Sequence, residues 1–124
     1  MLPVASSGTI IEAESPVIWA MDRAERVLPY FEEKYPNDDR PRKAVEAARA
    51  WVRGETSLSD VRAAAFGAHA AARDAAKGSA RAAARAAGHA AATAHVADHA
   101  PHAAAFADLA ERERAKEGRK TVKA

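Results

Sequence analysis

Residues 61–110 constrain this chain more than any other stretch. They read VRAAAFGAHAAARDAAKGSARAAARAAGHAAATAHVADHAPHAAAFADLA, alanine interspersed mainly with Arg, His and a few Asp. Alanine has the highest intrinsic helix propensity, and no β-branched run interrupts the stretch. Gly78-Ser79 divides it, with Gly78 as the stop of one helix and Ser79 as the N-cap of the next. The stretch therefore predicts two Ala-rich helices, about 59–77 and 79–99, joined by a very short turn as antiparallel neighbours. Close packing through alanine is expected to bring Gly88 against another backbone.

Composition sets the rest of the frame. Of 124 residues, 36 are Ala, so large core side chains are few and the core should be thin and tight. One domain is the natural count at this length. Cys is absent, which excludes disulfides and thiolate metal sites. No apolar leader opens the chain, and no run approaches the ~20 apolar residues of a membrane span. No membrane association is expected, and the expected location is cytoplasmic. The net charge of +2 hides an asymmetry: residues 1–39 sum to −5 and residues 40–124 to +7. An acidic first helix packed beside a basic remainder accounts for the split better than a nucleic-acid face, which would concentrate its bases and add aromatics.

In chain order, residues 1–14 read as an irregular lead-in. Ser15-Pro16 gives an N-cap followed by proline at the first helical position, which starts a helix over about 16–34. Val17, Ala20, Met21, Ala24, Val27, Leu28 and Phe31 share one face of it. Pro29 is expected to kink it. Trp19 and Tyr30 fall off the apolar arc and are expected to cover a neighbouring helix. Asp38 or Asp39 caps a second helix, about 40–53, stopped by Gly54. On it Arg42, Glu46 and Arg49 are spaced for an intrahelical ion-pair ladder. Ser57 and Ser59 are alternative caps for the third helix. Pro101 breaks or restarts the last segment, whose fifth helix, about 102–117, is expected to bury Phe106 and Leu109. The sequence thus predicts an all-α, single-domain bundle of about five helices, up-and-down, over 15–118. Residues 119–124 are read as a basic, frayed tail.

The polar residues form stripes. Arg62, Phe66, His69 and Arg73 line the third helix; Arg81, Arg85, Gly88, Ala92, His95 and His99 line the fourth. His95 and His99, spaced i,i+4, have the geometry of helical metal ligands, and His102 offers a third. HExxH is absent, however, and Arg81 and Arg85 on the same stripe oppose a dication. No cofactor is implied. No GxSxG, phosphate-cradling glycine loop or inward carboxylate pair is present, so the chain does not read as an enzyme. The stripes suit a solvated face that keeps an Ala-rich hairpin soluble; the functional reading next to it is an electropositive face for an acidic protein partner, since Arg is suited to bidentate carboxylate recognition. A helical metal protein built on His95, His99 and His102, or a basic module binding nucleic acid, are the alternatives.

A resemblance sharpens this. Asp39-Arg40-Pro41-Arg42-Lys43-Ala44-Val45-Glu46-Ala47-Ala48, with the blocks at 62–73 and 84–95 and the opening Trp19-Ala20-Met21-Asp22-Arg23-Ala24-Glu25, is similar to a bacterial family of immunity proteins from polymorphic toxin systems. The similarity spans about residues 17–107. It implies a cytoplasmic, all-α, non-enzymatic protein that neutralises a cognate toxin by binding it. The family's polar positions fall on Arg40, Arg42, Glu46, His69 and His95; the stripes add Arg73, Arg85 and His99 as partner contacts. A homo-oligomer is compatible with the sequence.

Two geometric expectations complete the reading. Glu46 either faces inward against a basic group of another segment or is solvent-exposed. In a simple hairpin pivoting at Gly78, His69 lies level with His89 rather than with His95, because helices rise ~1.5 Å per residue. That separates His69/His89 from a second group of His95, His99 and His102.

Overall fold

The computed structural model describes residues 15–123, with side chains described through Arg119. Five helices follow one another: α1 (Pro16–Lys34), α2 (Arg40–Val52), α3 (Leu58–Asp74), α4 (Ser79–Ala92) and α5 (His99–Lys123). No strand occurs among the described residues. The lead-in read over residues 1–14 and the final Ala124 lie outside them. The last helix runs past residue 118, where the sequence placed the end of the folded region, through to Lys123.

The start signals act as read. The Ser15 side chain accepts the Ile18 N–H at 3.3 Å, with Pro16 in the first turn. Ser57, not Ser59, caps α3 by accepting the Asp60 N–H at 3.1 Å. At α2 the Asp38 carboxylate takes the Arg40 N–H at 3.1 Å. Helix α1 is unbroken through Pro29, which lies on its exposed side.

Two boundaries differ from expectation. Helix α4 ends at Ala92, and residues 93–98 form turns rather than continuing to 99. The Thr93 hydroxyl donates to the His89 carbonyl at 2.9 Å there, beside the Thr93 N–H at 3.0 Å. Pro101 neither breaks nor starts α5. It occupies the first turn, where its missing N–H has no intrahelical partner and the ring has no preceding helical carbonyl to strike.

Helix α4 is the hub, packed against all four others. Eleven of its fourteen residues are buried: Ser79, Gly88 and nine alanines. Only small side chains allow one helix to be surrounded on so many sides at close range. The bulk of the core comes from α1, whose Met21, Val27, Leu28 and Phe31 are almost fully buried, with Val45 of α2 and Val61 of α3. On α5 the fully buried groups are Ala103, Ala107 and Ala110, whereas Phe106 and Leu109, expected as its buried anchors, are only half-buried.

The acidic first helix does pack beside basic segments. Arg42 of α2 reaches Glu32 of α1 through two bonds of 2.8 and 2.7 Å, and Arg49 engages Asp22 and Glu25. From α5, Arg114 bonds Glu33 at 2.6 Å, and Arg23 of α1 bonds Asp108. The expected Arg42–Glu46–Arg49 ladder does not form: Glu46 is exposed, and both arginines turn to α1 instead. Tyr30 covers α5 as expected, donating to Glu111 at 2.7 Å beneath the Arg114 guanidinium. Trp19 is 44% exposed with Arg23 over its ring.

The turn into α4 departs from expectation in one respect. Gly78, with φ of 130°, is the N-cap, and Ser79 is the first helical residue. A glutamate from the far end of the chain does the capping: Glu117 accepts the Ser79 N–H at 2.9 Å and its hydroxyl at 2.6 Å. A carboxylate suits a helix N-terminus, where unsatisfied amides carry partial positive charge. Burial opposes its ionisation, but the two Ser79 bonds and Lys34 hold Glu117 below the usual carboxylate range.

Candidate functional site

Because α4 is enclosed by its neighbours, it reaches the surface along one stripe. Its residues that are not buried are Arg81, Arg85 and His89, spaced four apart. Everything chemically distinctive about the chain gathers around that stripe.

His69 of α3 reaches it first. The His69 ring lies edge-on to His89 with centroids 4.8 Å apart, as the hairpin register predicts. It sits in the space left by Gly88, whose missing Cβ would lie 2.6–2.9 Å from the ring. Gly88 therefore admits an imidazole, not another backbone as the sequence suggested. The Arg85 guanidinium donates to His69 Nδ1 at 3.2 Å. That bond needs an unprotonated Nδ1, so His69 is neutral with its proton on Nε2.

His89 continues the cluster rather than ending it. Its Nδ1 shares a 3.0 Å hydrogen bond with His99 Nδ1, and its ring lies 5.3 Å from both His102 and Phe106, nearly parallel to the latter. His95 lies 6.4 Å from His99 between ring centroids, and His99 lies 6.1 Å from His102. The two histidine groups expected from the sequence are thus one continuous cluster with His89 as its link. His95 and His99 are not neighbours on one helix, because the break at Thr93 puts His95 in the turn and His99 at the start of α5. Among the described residues no three His, Asp or Glu side chains converge to hold a metal ion, so the set His95, His99 and His102 gains no geometric support.

The electrostatics follow from the neighbours. Burial first, then Arg85 and Arg73, push the His69 imidazole down from 6.5 to about 4. Burial and the adjacent His69, His99 and His102 push His89 down to about 4 as well. Burial and Arg62 lower His95, whose Nδ1 is buried without a hydrogen-bond partner. Within the described residues Arg62, Arg73, Lys77, Arg81 and Arg85 form no ion pair with a carboxylate. His69 and His89, lowered chiefly by burial, thus stand among arginines that pair with no carboxylate of the described residues.

The remaining sequence candidates lie elsewhere. Arg40 is held by Asp38 at 2.7 Å and Asp74 at 3.0 Å, and Arg42 by Glu32, so both serve the packing of α2. Glu46 is exposed on α2. Of the eight partner contacts read from the sequence, the fold assembles His69, Arg85, His95 and His99, with Arg73 close enough to depress His69. Sequence reading places Phe66 in the α3 stripe without weighting it, yet it is the most exposed large apolar side chain described, at 66%. An aromatic residue in an otherwise polar stripe is the available signal. Sequence reading also misses a groove of about 290 Å³ beside the α4 stripe, lined by Lys77, Arg81, Arg85, Phe106, Leu109 and Glu113 among others.

No helix among the described residues is long and apolar enough to cross a membrane. No curated protein and no solved structure matches this chain. A family model does, over residues 12–124, nearly the whole sequence. The chain belongs to the family described as Imm-5 like putative immunity protein.

Proposed function

We propose that this protein neutralises a cognate bacterial toxin by binding it in the cytoplasm, without a catalytic step of its own. Family membership supplies the class. The observation that carries the reading is the α3 stripe, where Phe66 stands 66% exposed between Arg62 and His69, with Arg73 beyond. Arg with aromatic residues is the composition enriched at protein interfaces, and Phe66 is an exposed ring set among exposed arginines. The contacts assigned are Arg62, Phe66, His69, Arg73, Arg85, His95 and His99.

Co-expression with the products of neighbouring genes, followed by purification and mass spectrometry, tests this. A stoichiometric complex that protects cells from the captured toxin is expected. Phe66→Ala should weaken that complex by about 1–3 kcal/mol, the cost of truncating an anchor. Absence of any complex, or turnover of a substrate by the protein alone, would overturn the reading.

A further inference from the structure

The groove beside α4 has a composition that specifies its occupant. One wall is the α4 stripe with Lys77, Arg81 and Arg85; the other is α5, with Phe106 and Leu109, and Ala82 lies between. The single acid of the lining, Glu113, is bonded by Lys116 at 3.1 Å. The three cations have no carboxylate partner among the described residues: Arg81 donates twice to the Ala75 carbonyl, and Arg85 to a neutral imidazole. At about 290 Å³ the space suits a few side chains, at the small end for a cofactor pocket.

We infer that this groove receives an extended segment of a protein partner in which acidic and large apolar residues alternate. Along α4, Arg81, Arg85 and His89 recur every four residues, ~6 Å apart at 1.5 Å per residue. Same-side residues of an extended chain recur every ~6.6–6.8 Å. One row of such a segment sets carboxylates against the α4 stripe, where an arginine fork takes a carboxylate in two hydrogen bonds. The opposite row lays apolar side chains on Phe106 and Leu109. Nucleic acid would match the cations and leave the aliphatic part of the apolar wall, Leu109 and Ala82, without a use. The groove adjoins the α3 stripe through the Arg85–His69 bond, so the inference rests on the partner-binding reading and extends its surface.

The test is a titration of the isotope-labelled full-length protein, by NMR, with a capped hexapeptide alternating glutamate with leucine. Saturable shifts centred on the amides of Ala82, Arg85, Phe106 and Leu109 are expected. The same peptide with lysine for glutamate should leave them unmoved. A Lys77→Glu variant with unchanged helicity and melting should bind the acidic peptide at least ~10-fold more weakly. Raising salt from about 50 to about 300 mM should weaken the wild-type complex, since the contact is ionic. Shifts spread over the chain or centred on α1 and α2, equal binding of the lysine peptide, or tighter binding of an oligothymidine would each overturn the inference. Peptide binding in the groove without any toxin complex would leave the inference standing and remove the immunity reading. A toxin complex without peptide binding would do the reverse.

Discussion

On the α1–α2 side, arginine meets carboxylate repeatedly: Arg42 with Glu32 and Glu25, Arg49 with Asp22 and Glu25, Arg40 with Asp38 and Asp74. Across the bundle, Arg62, Arg73 and Arg85 face imidazoles or solvent and pair with no carboxylate among the described residues. The same residue type does two different things. In the first region its charge is spent within the molecule and holds α2 on α1. In the second it stays without a carboxylate and adds to the burial that lowers His69 and His95. A guanidinium without a carboxylate in the molecule keeps the capacity to take one from outside it. The two regions are distinguished by where the acids are, not by where the bases are.

Acidification should separate the two regions most strongly. In the unfolded chain His69 and His89 take up protons near pH 6.5; in the folded chain they do so only near pH 4. Between those values the unfolded state binds more protons, so stability falls as pH is lowered from about 6.5 towards 4. With both histidines contributing, the steepest slope should approach roughly 2 kcal/mol per pH unit. On the paired side Asp38, whose bonds to Arg40 hold it below 3.8, yields its share only under that pH. Chemical denaturation across this window measures the slope, and His69→Gln/His89→Gln should flatten it. An unchanged slope in that variant would show that the cluster is not what limits acid stability.

Gly88→Ala probes the same region through packing. The added methyl meets the His69 ring at 2.6–2.9 Å, so the ring must leave and surrender its Arg85 bond. A loss of about 1–2 kcal/mol is expected, typical of overpacking. In a His69→Ala background the same substitution should change sign and gain up to about 1 kcal/mol from helix propensity. Thermal melts of the four variants decide it, and a loss in both backgrounds would place the clash elsewhere.

Smaller effects remain. A double-mutant cycle on Arg49 and Glu25 should give a coupling of about 0.5–1 kcal/mol, reduced by high salt, as for a partly exposed ion pair. Arg73→Glu and Lys77→Glu should alter stability by less than about 0.5 kcal/mol, because neither has an ion pair to lose. Arg73→Glu should in addition raise the His69 titration midpoint, read from imidazole NMR shifts, because Arg73 is one of the charges lowering it. A large stability loss from either would mean that the cationic face supports the fold after all.

What the sequence determined by itself is what short-range physics controls. Helix content follows from alanine propensity. The start of α1 follows from Ser15-Pro16, and the apolar face of α1 from a 3.6-residue period. The level of His69 with His89 follows from rise per residue about a short turn. What only the tertiary structure decided is which neighbour each polar group found. Arg42 and Arg49 chose α1 over the Glu46 beside them, because the acidic helix lies against α2 with stronger fields than one exposed turn supplies. Glu117 came back from the far end of the chain to Ser79, a contact no local rule encodes. The break at Thr93 divided the expected His95–His99 helix face, and His89 then joined the histidines into one cluster. The groove exists because α5 settles on a helix whose side chains are too small to fill the space above its own arginines. Periodicity fixes which way a side chain points along its own helix; what it meets there depends on how five helices share a core made mostly of methyl groups.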